Sequence, residues 1–178
     1  MTINVSLHEL LDYTDWERKK WQDWLKERDD AVLKTSAGPN SDERFKTVGE
    51  VIRHVFSAEK RYVDRLSDRV LTDTSSVPAD NVEALFAFGL QSRKELRELL
   101  KTFPVQNWDA MREFDFFGNT LRATPRKIIT HVVMHEIRHW AQIATLLRLN
   151  GLTDRFHDFL FSPVMGGDLR RGADKTSA

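Results

Sequence analysis

Four long segments of this chain carry apolar residues at helical spacing, and each opens on a start signal. Ser6 stands three residues before Glu9, Thr47 before Glu50 and Asp80 before Glu83, three capping-box patterns. Thr124 precedes Pro125, an N-cap with proline at the first helical position. The expected helices run from about Leu7 to Leu33, from Val48 to Val70, from just after Asp80 to Lys101, and from Pro125 to Leu149, where Asn150-Gly151 ends the last. Helices of this length joined by modest loops specify an all-α, antiparallel four-helix bundle. One domain is expected over residues 1–165, followed by a polar tail, 166–178, expected to be disordered. Phe103 to Ala123 is aromatic, and Gly118-Asn119 sits between Phe116-Phe117 and Leu121, which predicts a short hairpin or ordered loop before the last helix.

Charge narrows the function classes. Lys plus Arg number 27 and Asp plus Glu number 27, so the chain lacks the basic excess of a dedicated nucleic-acid binder. No run approaches the ~18 apolar residues of a membrane span. The first residues hold Glu9 and Asp12 with no long apolar stretch, so no signal peptide is expected. The absence of cysteine removes disulfides, thiolate metal sites and cysteine nucleophiles, and fits a reducing compartment. The expectation is a cytoplasmic protein acting on a small molecule, with neither nucleic acid nor membrane as partner.

Half of the six histidines fall within nine residues, at His131, His135 and His139. At ~100° per residue the three share one stripe of the last helix. His131 and His139 lie about 12 Å apart along the axis, too far to share an ion bonded at ~2 Å. The helix therefore offers a pair, and another element must complete a site. His54, at the edge of the apolar arc of the second helix, is the other candidate, and bundles build metal sites from such core-facing side chains. His8 and His157 have no such partners and are expected to be exposed. The bland alternative is a set of hydrogen-bonded core histidines with no metal. Three neutral histidines suit zinc, with nickel, iron or manganese also compatible.

His135-Glu136-Ile-Arg-His139 also matches H-E-x-x-H, the zincin protease motif in which the glutamate acts as general base. The surroundings argue against a protease. Positions 142 and 145 are Gln142 and Thr145 where the extended motif needs Gly and His, and no glutamate follows Glu136 as a third ligand. Helical phase puts Glu136 on the packed side of the helix, which predicts a buried charge pair or a hydrogen bond supporting the site. A di-iron carboxylate centre needs Glu-x-x-His on two helices, whereas the second helix has Glu50 four residues before His54. Glu59 lies in the apolar arc of the second helix and is expected to form a buried salt bridge or to orient part of the metal site.

Taken together, His54-Val-Phe-Ser-Ala58-Glu59 and His135-Glu-Ile-Arg-His139-Trp-Ala-Gln142-Ile143 resemble the DinB-like family, in the wider group of bacillithiol transferases and mycothiol-dependent maleylpyruvate isomerases. The shared pattern is a His before Ala-Glu on the second helix, then His-x-x-x-His and Gln-Ile on the last. Where that family commonly has Arg-Gly after the last histidine, this chain has Trp140-Ala141. The resemblance implies His54, His135 and His139 as ligands of one divalent ion, zinc or nickel, with His131 a neighbour. It also implies an up-down-down-up bundle, a homodimer, and either thiol S-transfer with a low-molecular-weight thiol or metal-assisted hydrolysis. The alternative is a non-catalytic binding or stress-response module with a structural or vestigial metal, which a fourth protein ligand would favour. The last helix has an apolar arc over more than half its circumference, as expected of a central helix or a subunit interface. Tyr13, Trp16, Trp21, Trp24 and Trp108 could line a pocket, though core packing is the expected role of most.

Overall fold

The structure, a computed structural model, describes residues 4–38, 44–116, 118–153 and 157–166. Four helices dominate: α1 (Leu7–Lys26), α2 (Val48–Leu66), α3 (Val82–Thr102) and α4 (Pro125–Leu149). An antiparallel hairpin of β1 (Arg112–Phe116) and β2 (Asn119–Ala123) precedes α4, with Phe114 opposite Leu121 and Gly118 in the left-handed region (φ 75°). The tail beyond 166 lies outside the described residues.

Local chemistry sets the helix ends. Ser6 and Glu9 form the reciprocal capping box, and Thr47 and Thr124 cap α2 and α4 through their side chains. Three boundaries differ from the sequence reading. The first helix ends at Lys26 rather than near Leu33, because Asp29 captures the Ala31 N–H and starts a 3₁₀ turn over Asp30–Lys34 that delivers Leu33 into the core. The second ends at Leu66 rather than Val70. Asp64 accepts from both the N–H and the hydroxyl of Thr72, folding the exit back on the helix, and leaves Val70 in solvent. The third is capped by Asn81, not Asp80, with Glu83 paired instead to Lys26 across to α1 (2.8 Å).

Contacts between the helices fix their directions. His54 meets His139 and Tyr62 meets His131, so α2 and α4 run antiparallel. Arg97 pairs with Asp12 and Lys26 with Glu83, so α1 and α3 are antiparallel. Arg18 meets Glu136 and Trp21 stacks on Trp140 (5.7 Å), so α1 and α4 are parallel. Phe56 meets Phe86 and Lys60 meets Glu95, which makes α2 and α3 parallel. The bundle is up-down-down-up, with the 67–81 connection returning the chain along the bundle so that α3 repeats the direction of α2.

That return fits closely at one point. A Cβ on Gly49, in the first turn of α2, would lie 1.8 Å from the carbonyl oxygen of Ala79. Gly49→Ala is therefore expected to lose about 2–3 kcal/mol or more of unfolding free energy, because the obstacle is backbone and cannot rotate away. Urea unfolding of the variant measures this, and an unchanged midpoint would refute the close approach.

The apolar core is in two parts. One cluster holds Trp21, Trp24, Phe56, Phe86 and Trp140; the other holds Leu11, Tyr62, Leu96, Ile129 and Val133. Between them, each helix contributes one charge: Arg18, Glu59, Arg93 and Glu136, none with a side chain more than 9% exposed. Arg18 donates through Nε to Glu136 (2.5 Å) and through Nη2 to Glu59 (2.9 Å). Arg93 donates to Glu59 (3.0 Å) and to Glu136 (2.5 Å). Arg18 also reaches the carbonyl of Gly89 (3.0 Å), Arg93 reaches Thr14 (2.9 Å), and Trp140 Nε1 donates to Glu136 (3.1 Å). Burial works against the charges of Arg18 and Glu136, but their opposite-charged neighbours outweigh it: Arg18 is held protonated and Glu136 is held below the usual carboxylate range.

Candidate metal centre

On α4, His135 and His139 stand one turn apart, as side chains at i and i+4 must. His54 reaches them from the first half of α2, across the antiparallel α2–α4 groove. His54 Nε2 lies 3.0 Å from His135 Nε2, and His139 Nε2 lies 3.1 Å from the same atom. One potential ligand atom from each residue lies within 4.8 Å of the others. A tetrahedral ion with bonds of 2.0–2.1 Å spaces its ligands by about 3.3 Å, and the two distances to His135 match that to within a few tenths of an ångström.

Protonation supports the same use. Burial first, then the charges of the neighbouring histidines, pushes His135 down to about 3. It is neutral at pH 7 and presents a lone pair. His139 Nδ1 lies 2.8 Å from Gln142 Oε1, and a carbonyl oxygen can only accept, so Nδ1 carries the proton and Nε2 is free as a ligand. Phe45 walls the group, with its ring centroid 4.7 Å from that of His54.

A cleft of about 450 Å³ opens onto the three histidines. His131 lines it without joining the trio; its ring lies 5.5 Å from His135 and edge-on to Tyr62. Glu136 faces the opposite way, locked between Arg18 and Arg93, so it cannot serve as the general base of a zincin. Glu59 is likewise committed to the two arginines; of its two expected roles the structure has the salt bridge.

His8 is exposed as expected, but His157 is not. It stacks on Trp21 (ring centroids 4.2 Å apart), and burial and then Lys20 push it down to about 4. The segment after α4 returns over α1, where Tyr13 donates to the carbonyl of His157 (3.1 Å) and Trp24 to that of Thr153 (3.3 Å). Tyr13, Trp21 and Trp24 are buried in this packing, and Trp108 packs on Phe103; none of the five aromatics named above lines the histidine cleft.

Sequence reasoning did not anticipate the arginines around the cleft, Arg44, Arg61, Arg65 and Arg138. A signal existed on α2, where Arg61 and Arg65 follow His54 by seven and eleven residues and so share its face.

A four-helix bundle whose second and fourth helices converge three imidazoles under an open cleft is a scaffold able to hold a metal ion. The chain belongs to the DinB family, whose family model matches residues 1–168. Two solved structures share the fold. A DinB-like protein from Bacillus cereus is 18% identical with a TM-score of 0.59, over 83% of this chain and 94% of that one. YfiT from Bacillus subtilis, described as a "probable metal-dependent hydrolase with an unusual four-helix bundle topology", is 16% identical with a TM-score of 0.64, over 86% and 94%. No curated protein matches the chain. Among the described residues, no helix is long and apolar enough to cross a membrane.

Proposed function

We propose that this chain is a metal-dependent enzyme in which His54, His135 and His139 hold one divalent ion, zinc or nickel, through Nε2, and a small-molecule substrate binds in the cleft above. The convergence of the three Nε2 atoms beneath an open cleft carries the reading. A divalent ion in that position supplies Lewis acidity, making a weakly acidic nucleophile, water or a low-molecular-weight thiol, reactive at neutral pH. The protein's own part is to keep His135 neutral, to fix the His139 tautomer through Gln142, and to shield one side with Phe45.

Hydrolysis and thiol S-transfer both need a nucleophile at an open coordination position. Among the described residues the candidate group contains three histidines, and the cleft lies beside it, which favours a catalytic role over a structural metal, where a fourth protein ligand closes the site. The reading includes action as a cytoplasmic homodimer, for which light scattering should give twice the 20.7 kDa chain mass.

Elemental analysis of untagged protein tests the centre. Wild type should carry about one equivalent of zinc or nickel, and His135→Ala should lose it while remaining helical. A wild type that neither carries metal nor takes up added zinc or nickel would refute the reading.

A further inference from the structure

The histidine cleft is much more basic than the molecule that contains it. The chain as a whole is neutral, yet Arg61, Arg65 and Arg138 line this cleft, and among its described lining residues Asp115 is the one carboxylate. Four arginines elsewhere, Arg69, Arg97, Arg112 and Arg126, each hold a carboxylate. Arg61 and Arg138 have no carboxylate partner among the described residues, and Arg65 donates to the backbone carbonyl of Asp115 (3.3 Å). Two guanidinium groups one turn apart on α2, with a third lining the same cleft from α4, gather positive charge that an anion would offset. Burial first, and then the neighbouring charge of Arg65, push the pKa of Arg61 down.

Placement gives the ligand a length. Arg138 stands beside His135 and His139 on α4, at the level of the histidines. Arg61 is two turns beyond His54, about 10 Å along α2. Guanidinium forks match carboxylate and phosphate groups geometrically, and a cleft lined by one sign of charge concentrates the opposite sign.

We propose that the cleft binds an organic anion whose carboxylate or phosphate is held by Arg61 and Arg138, with Arg65 adding charge at the outer end and the ligand's reacting group lying at the three histidines. The anion site stands on the arginines alone; only the position of the reacting group rests on the metal-enzyme reading.

Calorimetry on protein freed of metal by chelation tests this. The probes are glutarate and phenyl phosphate, with uncharged glutaramide as control. Wild type should bind one or both anions, and whichever is tighter identifies the group recognised; glutaramide should not bind. Arg61→Gln and Arg138→Gln should each weaken binding about ten-fold, the typical size for one charge-assisted contact, and the double variant should abolish it. Arg61→Lys, which keeps the charge, should lie between Arg61→Gln and wild type. Arg122→Gln, on the hairpin and already paired to Glu113, should bind as wild type does. Circular dichroism confirms that each variant is folded. Equal affinity in wild type and the folded double variant, equal binding of glutaramide, or no anion binding at all would overturn the proposal. Metal content, measured separately, keeps the two readings apart. Anion binding with no metal uptake would sink only the metal centre, and metal uptake with arginine-independent anion binding would sink only this inference.

Discussion

Glu136→Gln is expected to lower the unfolding free energy by about 3–5 kcal/mol, the usual consequence of removing one member of a buried ionic group. At this chain length that is a fall of roughly 10 °C in melting temperature. The reason is what stays behind. Arg18 would keep only Glu59, which it shares with Arg93, Arg93 would have besides it the partly exposed Asp15, and Trp140 would lose its charged acceptor. Arg93→Met and Glu59→Gln should fall in the same range. The Glu136→Gln/Arg93→Met double variant should lose less than the sum, because the two sites are directly coupled (2.5 Å). The zincin alternative makes the opposite prediction for Glu136→Gln: a normally stable protein lacking a general base. Chemical unfolding decides, and a loss below about 1 kcal/mol would remove the four-charge layer as a source of stability.

The second large effect depends on pH. Glu17 is buried on α1 and is pushed up to about 8, by burial first and then by the carboxylate of Glu136. In the unfolded chain it ionises near 4.5. A group whose pKa is raised on folding stabilises fully below the unfolded value and loses that contribution as pH rises through the folded one. Between pH 4.5 and 8 the unfolded chain releases this proton while the native state retains it. Wild type should thus lose stability across that window relative to Glu17→Gln, by about 3–5 kcal/mol at roughly 1.4 kcal/mol per pH unit. Parallel urea unfolding of the two proteins at pH 5 and pH 8 reads the difference. If it is the same at both pH values, Glu17 is not held protonated.

The two effects share a cause. A bundle that places four charges between its apolar clusters has little capacity for another. Arg18 and Arg93 offset Glu59 and Glu136, so an ionised Glu17 would add an uncompensated negative charge beside them.

The fold was legible to the extent that its causes are local. Capping side chains and 3.6-residue periodicity act within a few residues, and they located all four helices and the hairpin turn. Where the reading slipped, short-range competition was the reason. Asp29, Asp64 and Asn81 bind nearby backbone groups more favourably than helix continuation would, or at a different position from the one expected.

The chain by itself determined that His135 and His139 share a helix face, that His54 looks inward, and that Glu59 and Glu136 need partners, because these follow from helical phase alone. It did not determine which arginines answer the two glutamates. Arg18 lies 41 and 118 residues from them, a distance only tertiary packing closes. The direction of each helix is read from pairings such as Phe56 with Phe86 and Trp21 with Trp140. The same long-range packing hid His157 against Trp21 and brought Arg61 and Arg138 to the cleft that the histidines line. Phase along one helix is a property of sequence; which faces meet depends on how four helices jointly bury their apolar surface, and that exists only in the folded bundle.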